Sequence, residues 1–353
     1  MPGSESKPGK MRFAIVGAGV ISPFHARAIK ENPEAELVAI CDVLPEQAQK
    51  LAAEHAPNAQ TYTDYEAMLK RDDIDAVCVT VPSGFHGDVA IAAAQAGKHV
   101  LCEKPLDITS SKMTEMIDAC RSRNLKLGCI YQRRVTESTM LAKKAIDEGK
   151  LGKLVMGDVY QKYYRSPEYY RSAGWRGTLA IDGGGALMNQ GVHGIDQIVW
   201  LMGDVHSVFA YSAPLIREIE VEDTAVAVVR YKNGAFGVIQ GTTSVYPSQQ
   251  ARCEIHGEKG TIVFSENGFT QWKFMDSDEP IPAVKPRARS NSGDPKDIPN
   301  DGHFILLDDF IRAVREDRDP LITGEEARKA VDLILAIYES SRTGKEVLLQ
   351  PNN

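Results

Sequence analysis

Three short stretches of this 353-residue chain hold residues whose types and spacing could do chemistry. In "CEKPL", Lys104 stands between Glu103 and Pro105. A lysine so placed is either a solvated surface charge or a partly buried group. Burial would lower its pKa and let it exchange a proton with a substrate oxygen. In "DGGGALMNQGVHGID", the glycines Gly183 to Gly185 precede Asn189 and His193. A spacing of four puts two side chains on one face of an α-helix. Such a histidine is either a hydrogen-bonded core residue or a group able to take a proton near neutral pH. In "GAGVIS", Gly17 and Gly19 let the backbone approach a pyrophosphate, with Val20 and Ile21 completing the turn. A helix opening directly after it favours the negative charge. The third position of this fingerprint is Ser22 rather than glycine or alanine, so the match is incomplete.

The elements that must position these residues follow from the apolar runs. "MRFAIVGAG", "ELVAICD", "AVCVTVP", "HVLCEKP" and "KLGCIYQ" read as strands, separated by four helical stretches. The strand runs are apolar without alternation, as expected when both faces of a sheet are covered. Strand–helix repetition with short loops predicts a doubly wound parallel α/β sheet. Asp42 ends the second strand, where a carboxylate either accepts bonds from ribose hydroxyls or caps the next turn. No Arg or Lys stands beside it to receive a 2′-phosphate, which favours NAD over NADP. Ligands of such sheets bind beyond the carboxyl ends of the strands, which puts Lys104 in the crevice.

After Tyr131 the pattern changes. One helix, the strand-like "KLVMGDVYQKYYR", the glycine run and its helix precede strands with period-two features, one pair joined by the turn "KNGA". This predicts an α+β domain with a mainly antiparallel sheet. The expected boundaries are a disordered tail over 1–10, a dinucleotide-binding domain over 11–130 and a substrate and assembly domain over 131–353. Ser277 to Gly302 reads as a mobile loop, and two amphipathic helices end the chain. Between the domains, "YQKYYRSPEYYRSAGWRGT" gathers tyrosines, Trp175, Arg165, Arg171 and Arg176. Aromatic rings suit the C–H faces of sugars, and polar groups suit their hydroxyls.

Composition narrows the partners. Lys plus Arg total 41 against 48 Asp plus Glu, a formal charge of −7, which argues against a broad nucleic-acid footprint. No run of about 18 apolar residues is present, so no membrane-spanning helix is expected. The six cysteines form no C-x-x-C pair and most lie in apolar runs. Buried free thiols in a reducing cytoplasm are the simplest expectation, with no metal site.

Together, "GAGVISPFH", "VPSGFH", "CEKPL" and "DGGGALMNQGVHGID" resemble the glucose–fructose oxidoreductase, inositol dehydrogenase and rhizopine catabolism (Gfo/Idh/MocA) family, over nearly the whole chain from about Met11. The resemblance implies a Rossmann domain, a second domain with a large open-faced sheet that packs against another subunit as a dimer or tetramer, and nicotinamide-dependent hydride transfer at a carbohydrate or polyol carbon. It implies that His193 lies over the sugar as general base, with Lys104 on the same oxygen. It also implies cofactor contacts from Pro82, Ser83, His86, Glu103 and Lys104, with Gln132 or Arg133 at the ribose. Trp175, Arg176, Tyr163 and Tyr164 are expected at the substrate, and the glycine run is expected to open the helix onto the nicotinamide. Asn189 departs from the aspartate of inositol-dehydrogenase-like members. It is expected to position substrate or Lys104, since an amide holds no negative charge, and inositol is the less fitting substrate. A glycosidase or epimerase-like enzyme that recycles NAD in place, and a non-catalytic nucleotide sensor, are the alternatives.

Overall fold

The structure, a computed structural model, describes residues 9–284 and 301–349. Residues 1–8 of the expected tail and 285–300 of the expected mobile loop lie outside the described residues.

Strands of three to seven residues, mostly apolar, form the first sheet. Its elements are β1 (Met11–Val16), α1 (Ser22–Glu31), β2 (Ala35–Cys41), α2 (Pro45–His55), β3 (Gln60–Tyr62), α3 (Tyr65–Leu69), β4 (Ala76–Val79), α4 (His86–Gln95), β5 (His99–Cys102), α5 (Ser110–Arg121) and β6 (Leu127–Cys129). The strands are parallel in the order β3-β2-β1-β4-β5-β6, the Rossmann order. The order reverses between β1 and β4, which opens a ligand crevice at their carboxyl ends. β3 and α3 were not expected, because "QTY" and "YEAML" are too short to show a period.

The second sheet has eight strands. Its region comprises α6 (Glu137–Asp147), β7 (Leu154–Lys162), α7 (Pro167–Arg171), α8 (Val192–Met202), β8 (Val205–Ala213), β9 (Thr224–Tyr231), β10 (Phe236–Thr242), β11 (Arg252–Gly257), β12 (Gly260–Ser265), β13 (Gly268–Phe274), α9 (Asp301–Arg315), α10 (Gly324–Thr343) and β14 (Val347–Leu348). The order is β13-β12-β11-β7-β10-β9-β8-β14. All neighbours are antiparallel except β7 and β10, which run parallel because the chain crosses over through α8 before returning by the β8-β9-β10 meander. The expected "KNGA" turn joins β9 to β10, with Gly234 at φ +89° and Asn233 Oδ1 accepting from the Ala235 amide.

Burial along β9 alternates: Ala225, Ala227 and Val229 are buried, whereas Val226 and Val228 are exposed. The buried face lies under α8 and α10. The other face also exposes Met156, Tyr211 and Phe236, so the sheet is open-faced as expected. The last two helices do not stay with the second sheet. α9 packs on α1 and β5, and α10 packs on α5 and β6 as well as on β8 and α8. Asn32 donates to Asp308, and Arg328 donates to Ser110 and Thr114. The expected unit 131–353 thus shares its last helices with the dinucleotide-binding layer.

Candidate active site

The crevice at the switch point is a cavity of about 1070 Å³. Gly17, Gly19, Val20, Asp42 and Pro82 are among the residues that line it. Gly17 is at φ +97°, and a Cβ there would lie 2.7 Å from the Thr80 backbone, so only glycine fits. A Cβ on Gly19 would meet nothing within 4 Å, because that position faces the open cavity. Ser22 fits where the fingerprint has a smaller residue because it is fully buried and its Oγ donates to the Gly19 carbonyl at 2.8 Å. Ile21 precedes α1 without capping it by a side chain, which leaves the helix start available to an anion. Asp42 Oδ2 accepts from the Ala18 amide at 2.6 Å and Oδ1 from the Leu44 amide at 2.9 Å. Its carboxylate braces the glycine turn and also faces the cavity. An ionised carboxylate has lone pairs left for ribose hydroxyls. An open glycine cradle, an uncapped helix start and an acidic strand end together fit a dinucleotide. Lys50 and Glu54 of α2 line the same cavity, a feature missed by looking only next to Asp42 in sequence.

Two of the expected cofactor contacts are corrected. His86 is buried, with Nδ1 on the Pro105 carbonyl at 2.7 Å and Nε2 on the Val81 carbonyl at 2.9 Å. It is a strut between two loops. Glu103 is buried away from the cavity, between His25 and His303. Ser83 opens a short 3₁₀ turn beside the lining residue Pro82. Arg133 and Gln132 face the second domain. Arg133 pairs with Glu266 at 2.5 Å and donates to the Tyr163 hydroxyl at 3.3 Å. Gln132 is buried against Gly302, where a Cβ would come within 2.6 Å of its own.

Lys104 follows β5 on a loop held from several sides. His86 bonds the Pro105 carbonyl, and Asp107 accepts from the Gly87 and Thr109 amides. The lysine Nζ donates to the backbone carbonyl of Asn189 at 3.1 Å. Burial pushes the ammonium below the ordinary lysine value, opposed by the nearby carboxylates of Glu103 and Asp182.

The stretch 182–196 differs from a simple helix. Ala186–Gly191 forms a π-helical turn that runs into α8, so Asn189 and His193 straddle the junction of two helix types. The Asn189 side chain donates to Asp182 Oδ1 at 2.7 Å, and its carbonyl rather than its amide holds Lys104. Asp182 is buried and also accepts from the Gly177 amide at 2.8 Å. Its role is legible only in three dimensions. The glycine run is closely packed on its Cβ sides. A Cβ on Gly183 would strike Ile108, on Gly184 the Tyr338 hydroxyl at 2.3 Å, and on Gly185 the Glu222 carbonyl oxygen at 1.8 Å. Glu222, distant in sequence, accepts from the amides of Gly185 and Leu187 and from the Tyr338 hydroxyl, and so closes the start of the π turn. His193 is buried, its ring is edge-on to Tyr131 at 5.9 Å, and its Nδ1 has no hydrogen-bond partner among the described residues. Burial, then the charges of Lys104 and Arg133, hold its pKa well below the usual histidine value. The imidazole is neutral.

The aromatic and arginine residues divide. Trp175 lines the dinucleotide cavity, because its segment docks on the first domain through the Gly84 amide donating to the Ile181 carbonyl at 2.8 Å. It thus stands at the mouth of the glycine turn's cavity, apart from Tyr163 and Tyr164. Tyr163 is buried, with its hydroxyl engaged by Arg133, so it offers no stacking face. Arg176 donates to the Tyr169 hydroxyl at 2.6 Å and lies over the rings of Tyr169 and Trp175 at 4.3 and 4.7 Å. Tyr164 is edge-on to Tyr246, with Arg217 over its ring at 5.2 Å. Arg165 donates to Gln190, which donates to Tyr169. Gln190, Tyr169 and Arg217 were not singled out from sequence, since Arg217 comes from a loop about 50 residues further on.

A parallel sheet in the Rossmann order with a glycine turn at its switch point defines a dinucleotide-binding protein. Comparisons agree. The oxidoreductase family with an NAD-binding Rossmann fold matches residues 11–131, and the GFO/IDH/MocA C-terminal domain matches residues 139–263. The WlbA dehydrogenase from Bordetella pertussis, solved with NADH and UDP-GlcNAcA, is 38% identical, with 97% of this chain and 100% of that chain covered at a TM-score of 0.86. The myo-inositol 2-dehydrogenase of Thermotoga maritima is 28% identical over 357 residues, covering 96% of this chain and 99% of the relative. The D-glucoside 3-dehydrogenase of Escherichia coli is 27% identical over 363 residues, covering 96% and 97%. The chain belongs to the Gfo/Idh/MocA family of oxidoreductases.

Proposed function

We propose that the protein oxidises a secondary alcohol of a sugar derivative carrying an anionic group, with NAD as its cofactor and with Lys104 and His193 acting on the reacting oxygen. The observation that carries this reading is the bond from Lys104 Nζ to the Asn189 carbonyl. It joins a cation of the first domain to the turn that leads into His193. NAD, when bound, supplies the hydride acceptor. The hydroxyl proton must also leave. Neutral His193 takes it as general base, while cationic Lys104 stabilises the negative charge growing on the oxygen. Asn189 positions Lys104 through its main chain.

The anionic group is supported by Arg165, Arg176 and Arg217 gathered on the rings of Tyr164 and Tyr169. The Nε atoms of Arg176 and Arg217 are buried without a hydrogen-bond partner among the described residues. The relative solved with UDP-GlcNAcA supports the same class. Asp42 supports NAD over NADP, since like charge repels a 2′-phosphate. The open sheet face supports a homodimer or homotetramer, and six buried free cysteines support a reducing compartment such as the cytoplasm.

The test is reduced-cofactor absorbance with UDP-GlcNAcA, uncharged UDP-GlcNAc and myo-inositol, each with NAD and NADP. The expected result is accumulation of free NADH, with kcat/KM for the acid about 10-fold or more above the neutral sugar nucleotide, the worth of one charge-assisted bond. Myo-inositol as the best substrate would overturn the anionic reading, and an NADP preference would overturn the cofactor. Substrate consumption without free NADH would favour in-place recycling.

A further inference from the structure

Glu103 has a buried carboxylate that does not line the cofactor cavity. Its Oε1 accepts from His25 Nε2 at 2.8 Å and from His303 Nε2 at 3.3 Å. Its Oε2 accepts from the backbone amide of Lys104 at 3.2 Å. His25 belongs to α1, the helix that starts at the glycine turn, and His303 belongs to α9. His303 is further held by stacking on Phe24 at 5.5 Å and lies edge-on to His25 at 5.4 Å. One carboxylate therefore ties the dinucleotide helix, the lysine loop and a helix from the far end of the chain. A carboxylate only accepts, so both Nε2 atoms carry hydrogen. Burial opposes its ionisation, but the bonds from the two histidines prevail and hold it well below the usual carboxylate range.

We propose that Glu103 is a positioning residue for Lys104: clamped between His25 and His303, its carboxylate fixes the loop that carries the lysine and keeps the lysine cationic. Burial alone drives Lys104 towards the neutral amine. The charged groups that face it are Glu103 on its own loop, Asp182 from the segment before the π turn, and Arg133 from beyond β6. His193 of α8, kept neutral, feels its charge, and the Cys129 thiol of β6 lies near. Only Glu103 and Asp182 are carboxylates, and Asp182 is engaged by Asn189 and the Gly177 amide. Glu103 is thus the main support of the charge. His25 and His303 act at one remove, by keeping that carboxylate ionised. The proposal rests on the reading of Lys104 as the cation at the reacting oxygen, but its first test does not need a substrate.

In protein labelled with [ε-¹³C]lysine, the Lys104 signal is assigned by its loss in Lys104→Met, and its titration is followed by NMR. Glu103→Gln should move that titration to lower pH by about one unit, the effect of losing an adjacent opposite charge. NAD affinity by calorimetry should stay within about threefold, because the carboxylate does not line the cavity. Glu103→Asp, which keeps the charge, should return the titration towards the wild-type position. An unmoved titration in Glu103→Gln overturns the proposal. Should that variant fail to fold, ¹⁵N spectra of the wild-type histidines decide. Both His25 and His303 must carry hydrogen on Nε2 at neutral pH, and a bare Nε2 on either overturns the clamp. The alkaline limb of kcat on UDP-GlcNAcA should fall with the lysine titration. Normal turnover by Lys104→Met would instead refute the catalytic reading of Lys104 and leave the NMR result to stand alone.

Discussion

At the residue scale, Lys104 and His193 come from different domains, and Lys104 donates to the Asn189 carbonyl in the turn that leads into the helix of His193, so each can be removed and read separately. Lys104→Met and His193→Ala should each lower kcat and kcat/KM together by about 10²–10⁴-fold, the worth of an acid–base group, with NAD affinity by calorimetry nearly unchanged. Near-normal single-turnover transfer in His193→Ala would return that histidine to a packing role. The pH dependence follows from the same burial. His193 is depressed below the ordinary 6.5, so its neutral form persists as pH falls, and kcat should stay flat through 6.5. The stability sign is opposite for two kinds of histidine. For His193 and His86, both depressed, the unfolded chain takes protons that the fold refuses, so their contribution is lost as pH drops below 6.5. For His25, burial is outweighed by bonds to Cys78 and Glu103, and the pKa rises to about 10. Its contribution is present below 6.5 and disappears as pH climbs through about 10.

At the scale of elements, the glycine run is a packing requirement. Gly185→Ala places a Cβ 1.8 Å from the Glu222 carbonyl oxygen, against backbone that cannot swing aside. It should destabilise by about 3 kcal/mol or more, read as a lowered denaturation midpoint. A change under about 1 kcal/mol would show that the π turn can shift. This run also marks what the sequence could tell. Five of the six strands of the first sheet were legible because each is an apolar run ending at a turn, and Gly17 announced its own constraint. The reason for Gly185 was not legible, because its neighbour Glu222 is 37 residues away. Asn189 was read as an i, i+4 partner of His193, yet a π turn intervenes and its amide turns to Asp182. Glu103 and His86 were expected as cofactor contacts because the family resemblance implies it, not because their own surroundings did. Neighbouring residues of a chain can face opposite sides, so Glu103 turns inward to His25 and His303 beside Lys104, and only the buried partners show it. Trp175 was legible as a ring near the site but not as a lining residue of the glycine turn's cavity.

At the scale of the whole molecule, two features decide behaviour. The first is the uncovered sheet face, where Val228, Phe236 and Tyr211 are each more than half exposed. An apolar surface of this kind marks an interface. Val228→Asp with Phe236→Asp should convert the assembly to monomers in light scattering, and an already monomeric wild type would refute the assignment. The second is the docking of the Trp175 segment onto the first domain. The chain has three tryptophans. Trp200 lies beneath Arg134 and Lys143, and Trp272 packs with Phe269 and Phe274. Among the described residues, Trp175 alone of the three lines the dinucleotide cavity. The protein therefore carries its own optical gauge of occupancy. Indole emission should be partly quenched as NADH enters, and energy should pass from that one indole to the reduced nicotinamide. Trp175→Phe should silence most of the transfer while leaving emission from the other two unchanged.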